Sequence, residues 1–306
     1  MDDMNDTQAQ NKKLTRYAWL SIAAALATII LKTLAYLITG SVGILSEAVE
    51  SIVNLAGAAF ALVMLSYATR PADEGHPYGH GKAEYFSSGF EGMLIVFAAG
   101  AILYAGLHRL LHPEPLERMG LGVAVSTVAS ALNFVTARIL LNAGKRHESI
   151  TLEADGRHLM ADVWTSVGVL AGIACVWLTG LLWLDSLIAM AVGAQIAWAG
   201  AGILKRSWDG LMDACLPEAE MEQIAAAMRP FQAQGIAFHA LRARRAAAER
   251  FVSVHMLFPG DWTVHRAHSL SEDFEAAVCE ALPRTHVTTH LESLEDARSF
   301  SHLEGG

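Results

Sequence analysis

The sequence predicts an all-helical membrane domain of six spans followed by a small α/β domain. Hydrophobic residues make up 53% of the 306 residues and charged residues only 17%, which is too apolar for an ordinary soluble protein. The long apolar runs are confined to residues 14–205, whereas residues 206–306 are rich in Glu, Asp, Arg and His. Within that second part, residues 251–258 alternate between apolar and polar side chains, which is typical of a strand with one buried face.

These composition changes divide the chain into four predicted segments. We expect a cytoplasmic N-terminal tail over residues 1–13, a transmembrane domain over 14–205, a cytoplasmic α/β domain over 206–295 and a short tail over 296–306. The polar N-terminus has no small-residue cleavage site before the first span, so we expect no removable signal peptide. The formal net charge of −9 argues against a nucleic acid partner. Three widely separated cysteines predict neither a disulfide framework nor a zinc knuckle.

Each predicted span is a predominantly apolar run longer than the roughly 20 residues that a bilayer crossing requires. The spans lie at residues 14–39, 41–67, 84–110, 119–142, 156–179 and 182–204. Basic residues flank alternate loops, and they are Lys12, Lys13, Arg16, Arg70, Lys82, Arg138, Lys145, Arg146, Lys205 and Arg206. The other side has little beyond Arg109 and Arg118. By the positive-inside rule, both termini and the loop over residues 70–82 are therefore expected in the cytoplasm.

Two spans carry polar side chains at i, i+3 and i+7, a spacing that places each set on one helical face. The sets are Glu47, Glu50 and Asn54 in span two, and Asp155, His158 and Asp162 in span five. An uncompensated carboxylate at membrane depth costs about 3 kcal/mol, so the two faces are expected to meet. An i, i+4 pair from each helix predicts a metal site formed by Glu50, Asn54, His158 and Asp162. The alternative is a set of interhelical hydrogen bonds.

The loop "DEGHPYGHGKAE" carries a second candidate site. Asp73, His76 and His80 offer one carboxylate and two imidazoles, which suit zinc and also iron. Glycines would let the loop fold back on an ion. The alternative is a tight loop that is simply solvated. Elsewhere in the spans, Lys32 is expected to snorkel or to pair, and Asp185 to stand at a helix N-terminus.

The second domain reads as a helix over residues 217–233, a strand near 236–244, a strand over 251–258, a helix near 265–281 and a strand over 286–292. Val252, Val254, Met256 and Phe258 fall on one face of their strand. In the last strand, His286, Thr288, His290 and Glu292 share a face, while Val287 and Leu291 point away.

The chain resembles the cation diffusion facilitators, a family of divalent-metal/proton antiporters. The resemblance is carried by "LKTLAYLITGSVGILSEAVES", "RPADEGHPYGHGKAE", "HLMADVWTSVGVL" and "LMDACLPEAE". It implies transport through Glu50, Asn54, His158 and Asp162, and a second site at Asp73, His76 and His80. It also implies a homodimer with ferredoxin-like, metallochaperone-like tails. Relatives typically carry Asp at the positions of Glu50 and Asn54, so the charge of this site is lower and its metal preference is open.

The resemblance implies further residue roles in the tail. Metal positions of the family match His239, His255, His268, His290 and Glu292. Lys82 is expected to pair with Asp213 and so to tie the membrane domain to the tail; the alternative is a solvated surface pair. The remaining histidines are expected to be solvated surface residues: His108, His112, His147, His265, His286 and His302.

The expected activity is proton-coupled efflux of a divalent cation from the cytoplasm across the inner membrane of a bacterium. Zinc leads as the cargo, with iron, cobalt, nickel, cadmium and manganese behind it. Three other functions stay open: a membrane metal sensor or scaffold without transport, a manganese-selective exporter, and an intramembrane metallohydrolase. The hydrolase would need a signature such as HExxH, which does not occur in the sequence.

Overall fold

The structure is a computed structural model that describes residues 2–39, 42–112, 120–181 and 183–303. Within these ranges, side chains are not described for residues 2–13, 39, 42–50, 53, 120–123, 126, 169, 170, 172–174, 176, 177, 185 and 301–303. The chain divides into two compact units, one ending at Trp208 and the other beginning at Asp209.

The described part of the first unit is helical. Its elements are α1 (Asp2–Thr39), α2 (Val42–Ala68), α3 (Ala83–Leu111), α4 (Gly120–His147), α5 (Ile150–Thr179) and α6 (Trp183–Leu211). These helices correspond one to one to the six predicted spans. In the described residues, three stretches are long and apolar enough to cross a membrane: Leu14–Ile38, Ala83–Leu111 and Ser186–Leu211. The polar faces predicted from the sequence lie on α2 and α5.

The connection between α4 and α5 is shorter than the gap between the predicted spans, which end at residue 142 and begin again at residue 156. Helix α4 continues to His147, and α5 begins at Ile150. Glu148 turns the chain with φ of 55°. The two helices approach closely here, since a Cβ on Gly144 would lie 2.8 Å from the Glu153 backbone nitrogen. A glycine is therefore required at this point of α4.

A side chain from α3 caps the start of α5. The carboxylate of Glu84 accepts hydrogen bonds from the Ser149 hydroxyl at 2.5 Å and from the Thr151 backbone amide at 3.2 Å. The first amides of a helix have no partner inside that helix, so a carboxylate is a favourable cap. Glu84 is buried, and these bonds compensate for its burial.

Helix α5 contributes to both apolar clusters of the first unit. One cluster includes Leu65 of α2, Leu140 of α4 and Leu152 of α5. The other includes Ile95 of α3, Ala154 of α5, and Ile196 and Ile203 of α6. Because α5 packs against α2 on one side and α3 on the other, its polar residues can meet side chains from both helices.

The second unit is a three-stranded sheet with two α-helices. Its elements are α7 (Glu218–Gln232), β1 (Ala237–Ala246), β2 (Glu249–Phe258), α8 (Val264–Ala281), β3 (Thr285–Ser293) and a 3₁₀ helix (Ala297–Leu303). The strand order is β1-β2-β3, with β1 antiparallel to β2 and β3 parallel to β2. A parallel pair needs a crossover, which α8 supplies. The predicted α/β architecture is confirmed.

The predicted alternation of β2 is also confirmed. Val252, Val254, Met256 and Phe258 are buried and pack with Phe274 of α8. On β3, Val287 and Leu291 pack against the same core. The opposite face of the sheet therefore presents the histidines. His239 pairs in register with His255, and His255 with His290, so the three lie in a row across the strands.

A buried arginine joins α7 to the sheet. Arg250 donates from Nε to Glu220 Oε2 at 2.8 Å and from Nη2 to Glu220 Oε1 at 3.1 Å. Arg245 adds a bond of 3.1 Å to Glu220 Oε1. The hydrogen bonds from Arg250 lower the pKa of the Glu220 carboxyl below its ordinary value. The pair therefore contributes stability when Glu220 is ionised.

We expect the second unit to lose stability on acidification, partly through Glu220. The pKa of Glu220 is lower in the folded state than in the unfolded chain, where it is about 4.3. The contribution is therefore complete at neutral pH and is lost as the pH falls through that value towards the folded pKa. Glu220→Gln should be less stable than wild type at pH 7, and the difference should shrink by pH 4.

Hydrogen exchange of the β2 amides in the detergent-solubilised full chain measures this difference. Glu222→Gln is the matched control, because Glu222 lies on the same helix and pairs with Arg229 at the exposed surface. Equal loss of protection on acidification in wild type and Glu220→Gln would show that the pair does not govern acid stability.

Candidate metal sites

Three of the four residues predicted for the membrane site lie together between α2 and α5. His158 Nε2 lies 2.8 Å from Asn54 Oδ1. The Asn54 amide donates to Asp162 Oδ2 at 2.5 Å. His158 is buried, and Asn54 and Asp162 are partly buried. The side chain of Glu50, the fourth predicted ligand, lies outside the described residues. We call Asn54, His158 and Asp162 the membrane cluster.

The membrane cluster offers an imidazole nitrogen, an amide oxygen and a carboxylate oxygen, on three side chains joined by hydrogen bonds through the Asn54 amide. These are donor types that zinc and other first-row divalent cations accept. The hydrogen bonds also satisfy the interhelical alternative that the sequence left open. The geometry fits a metal site, and the same side chains also join α2 to α5.

Glu91 of α3 lies beside the membrane cluster and was not predicted from the sequence. Its Oε2 is 3.8 Å from His158 Nδ1, and its side chain is 1% exposed. Neither carboxylate oxygen has a hydrogen-bond partner among the described residues. In the sequence Glu84, Ser87 and Ser88 precede Glu91 at helical spacing, but residues 92–107 contain no further acid or histidine. The available signal was a single carboxylate inside an apolar span, which is a functional candidate by default.

Asp155 begins the polar face of α5 that the sequence predicted. It is buried, and its Oδ2 has no hydrogen-bond partner within the described part of the chain. It lies about one turn before His158, and we assign it no ligand role.

The structure brings Asp73, His76 and His80 together in the loop before α3. One ligand atom from each lies within 4.8 Å of the others. His76 Nδ1 is 3.4 Å from Asp73 Oδ1, and His80 Nε2 is 3.5 Å from Asp73 Oδ2. His80 is buried, and its Nδ1 has no hydrogen-bond partner among the described side and main chains. We call these three residues the loop cluster.

Backbone geometry holds the loop cluster in place. The His76 amide donates to Asp73 Oδ1 at 2.7 Å. This hydrogen bond is the main reason that the pKa of the Asp73 carboxyl is lowered. Gly79 has φ of 79°, a conformation that favours glycine. The His80 ring packs edge-on against Tyr67 of α2, with 4.6 Å between ring centroids.

A third group, the tail cluster, is formed by His239, His255 and Glu292. His239 Nε2 is 2.7 Å from Glu292 Oε2, and His255 Nδ1 is 3.0 Å from Glu292 Oε1. His239 lies on β1, His255 on β2 and Glu292 on β3, so the Glu292 carboxylate links the two outer strands and also contacts the central one. A register shift between His239 and Arg242, with φ of 50° at Ala240, marks a bulge beside His239. The His239 Nδ1 atom is buried without a hydrogen-bond partner in the described residues.

The other predicted tail ligands lie outside this group of three. His290 is 65% exposed, and its Nε2 is 3.6 Å from Glu292 Oε1, so it stands at the rim of the tail cluster. His268 lies on α8 with its Nε2 3.8 Å from Glu272 Oε1, and both side chains are exposed. Its assignment as a tail ligand therefore stays a prediction.

Asp213 accepts from Arg244 at 3.2 Å within the second unit. The predicted pair of Lys82 and Asp213 stays a prediction, because the two residues belong to different units.

His286, expected to be only solvated, lies 3.2 Å from Glu249 and stacks on Phe251. The rings of His108 and His112 stack with 4.9 Å between centroids. The side chains of Asp185 and His302 lie outside the described residues.

Comparison with known proteins gives matches over both units. Residues 18–212 match the family described as the cation efflux transmembrane domain, and residues 216–294 match the family described as the cation efflux protein, cytoplasmic domain. The uncharacterized transporter sll1263 of Synechocystis sp. is 52% identical over 286 residues, which cover 94% of this chain and 92% of that protein. The cation-efflux pump FieF of Klebsiella pneumoniae is 30% identical over 286 residues, covering 92% and 94%. A solved structure of CzrB in its zinc form is 31% identical over 27% of this chain and 93% of that one, with a TM-score of 0.26.

Proposed function

We propose that this chain, which belongs to the cation diffusion facilitator family, exports a divalent metal cation, zinc first, in exchange for protons. Family membership makes it an integral membrane protein and a cation efflux transporter. The observation that carries the finer proposal is the membrane cluster. In this cluster His158 Nε2 of α5 lies 2.8 Å from Asn54 Oδ1 of α2, and the Asn54 amide nitrogen lies 2.5 Å from Asp162 Oδ2.

The proposed transport site is Glu50, Asn54, His158 and Asp162. The ion is held by carboxylate, amide and imidazole donors at the interface between α2 and α5. Metal binds the deprotonated forms of carboxylate and imidazole, so metal and protons compete for the same ligands. Loading the ion on the cytoplasmic side releases protons, and protonation on the other side releases the ion. Histidine is the natural coupling group, because imidazole can change its charge in the physiological pH range.

We propose that the loop cluster binds the ion before it reaches the membrane cluster. Asp73, His76 and His80 immediately precede α3, and the distribution of basic residues supports a cytoplasmic location for this segment. The buried, unpartnered Nδ1 of His80 supports a ligand role, because a buried polar atom without a partner is costly. Two imidazoles and one carboxylate favour zinc over harder cations.

We propose that the tail cluster regulates a homodimer of this chain. His239, His255 and Glu292 lie on a sheet that folds around its own core, apart from the membrane helices. His290 at the rim is exposed, so it is free to bind a second ion or to share the ion of the tail cluster. In this arrangement both termini and the tail lie in the cytoplasm, and the membrane is the inner membrane of a bacterium. The second unit, which begins at Asp209, contains most of the predicted domain over residues 206–295.

A flux assay tests the proposed cargo. The purified chain is reconstituted into liposomes, and uptake of Zn²⁺, Fe²⁺, Co²⁺, Ni²⁺, Cd²⁺ and Mn²⁺ is followed separately. We expect Zn²⁺ to move fastest at equal concentration, because the three clusters combine imidazole with few carboxylates. A chain that transports Mn²⁺ best would be a manganese exporter. A chain that binds metal but transports no member of the panel would be a sensor.

Substitution of the tail cluster separates regulation from transport. The variant His255→Ala with His290→Ala should raise the metal concentration for half-maximal flux and keep flux at saturating metal. The physical reason is that these residues lie in the second unit, whereas the proposed path uses donors of the first. Initial rates in proteoliposomes over a range of Zn²⁺ concentrations measure the shift.

His286→Ala is the matched control for this variant. His286 lies on β3 like His290, but its ring contacts Glu249 and Phe251 and not the tail cluster. We expect its concentration dependence to equal that of wild type. Complete loss of flux at saturating Zn²⁺ in the double variant would make the tail an obligatory part of the path.

A further inference from the structure

The environment of Glu91 is unusual for a carboxylate inside a membrane helix. The side chain is 1% exposed, and neither oxygen has a hydrogen-bond partner among the described residues. Oε2 faces Nδ1 of His158 on α5 at 3.8 Å. On its other side, a Cβ on Gly57 of α2 would lie 3.1 Å from Oε1. The carboxylate of α3 therefore lies between the two helices that form the membrane cluster.

A second buried carboxylate on the same helix shows what a structural role looks like. Glu84 is buried as well, and it accepts hydrogen bonds from Ser149 and Thr151 that cap α5. Glu91 makes no such bonds within the described chain. A buried charge without compensation is costly. A histidine that holds a cation on its other nitrogen would supply that compensation.

The ring of His158 relates Glu91 to the proposed ion. Nε2 faces Asn54, with Asp162 beyond it, whereas Nδ1 faces Glu91. An imidazole gives one nitrogen to a metal, and the other nitrogen commonly donates its hydrogen to a carboxylate that fixes the tautomer and raises ligand basicity. The other metal donors of the membrane cluster lie on the Nε2 side of the ring, so Nε2 is the nitrogen that would bind the ion. Glu91 is then the carboxylate that would accept the hydrogen of Nδ1.

The charge of the site gives Glu91 a second consequence. Asn54 provides an oxygen but no charge. The Glu91 carboxylate lies beside Gly57, which follows Asn54 on α2 by about one helical turn. We propose that Glu91 is a positioning residue of the transport site, which orients His158 through Nδ1 and supplies from α3 the negative charge that Asn54 does not carry. This inference rests on the proposed function, because it takes the membrane cluster as the ion site.

Zinc binding to the full-length chain in detergent tests the proposal by isothermal titration calorimetry. All variants share a background that removes the other two clusters: Asp73→Ala, His76→Ala, His239→Ala and His255→Ala. In this background Glu91→Gln should weaken Zn²⁺ binding about 10- to 100-fold, the range seen when an orienting partner of a metal ligand is lost. The same variant should keep or raise the thermal unfolding temperature, because a buried unpaired charge is removed.

The matched control is Glu84→Gln, which should lower the unfolding temperature and leave Zn²⁺ affinity unchanged. A double-mutant cycle with Asn54→Asp adds a readout that a structural role would not change. Asn54→Asp should recover most of the affinity lost in Glu91→Gln and should gain much less when Glu91 is present. The reason is that the new carboxylate then enters a site that already has this charge.

Two outcomes overturn the inference, and they are distinguishable. If Asp162→Ala in the same background leaves Zn²⁺ binding intact, the membrane cluster is not the ion site, and the proposed function fails together with the inference. If Asp162→Ala removes binding but Glu91→Gln binds Zn²⁺ as tightly as its parent, or the effects of Asn54→Asp and Glu91→Gln simply add, then only the role of Glu91 is wrong.

Discussion

Replacing Asp162 by alanine is expected to abolish zinc flux while leaving the chain folded. Asp162 is the one described carboxylate that hydrogen-bonds within the membrane cluster, through the Asn54 amide at 2.5 Å. The variant removes a charged ligand from the proposed site, in which Asn54 provides an oxygen without a charge. It leaves the ion with the imidazole of His158 and with Glu50, which is too few strong ligands to displace water from a divalent cation. Proteoliposome uptake of Zn²⁺ over the first seconds measures the effect.

A control on the same helix separates this effect from damage to α5. Glu153 pairs with Arg206 at 2.8 Å and lies about two and a half turns before Asp162. Glu153→Gln should transport zinc at close to the wild-type rate, because a partly exposed ion pair contributes little. Size-exclusion chromatography shows whether each variant stays folded. Flux near the wild-type rate in a well-folded Asp162→Ala protein would remove Asp162 from the transport site.

The second large effect is expected on stability, from Phe274→Ala in the second unit. Phe274 is fully buried on α8, and its ring lies 5.5 Å from that of Phe231 on α7 and 5.2 Å from that of Phe238 on β1. Truncation of a buried phenylalanine costs about 3–5 kcal/mol, because a cavity remains. Since each 1.4 kcal/mol corresponds to about a factor of ten, the β2 amides should exchange roughly two to three and a half orders of magnitude faster.

Hydrogen exchange in the full chain reports this change for each element separately. Phe300→Ala removes the same atoms from a position that is 42% exposed, and its effect on the β2 amides should be much smaller. Protection in α3 and α5 should be unaffected in both variants, because those helices form their own cores. Unchanged β2 protection in Phe274→Ala would mean that the sheet is held by something other than this aromatic core.

Most of the fold could be predicted because it follows from local patterns. Apolar runs of sufficient length predicted the six helices, and alternation in residues 251–258 predicted both β2 and its buried face. The connection between α4 and α5 is shorter than the bounds of the fourth and fifth predicted spans implied. The polar residues between the two spans indicated a loop. In the structure, Gly144 allows the two helices to approach closely, and Glu84 of α3 caps the start of α5. A cap supplied by a distant segment has no local signature.

The candidate sites divide in the same way. Asn54, His158 and Asp162 could be found because helical spacing places polar residues on one face, and the loop cluster because its residues are close in the sequence. Glu91 could not be placed, because its relation to His158 depends on how α3 packs against α5. Asn54 illustrates a further limit. Its identity showed a missing charge, but a carboxylate from a third helix is visible only in the packed structure.

The central claim is proton-coupled transport through the membrane cluster, and an imposed pH gradient tests it most directly. Liposomes containing the chain are prepared with an acidic lumen and diluted into a more alkaline buffer with Zn²⁺. Protons leaving the lumen should drive Zn²⁺ inward, so that luminal zinc exceeds its external concentration until an ionophore that exchanges protons for potassium collapses the gradient. Asp162→Ala should show no such accumulation. Wild-type uptake that stops at equal concentrations, with or without the gradient, would contradict the claim.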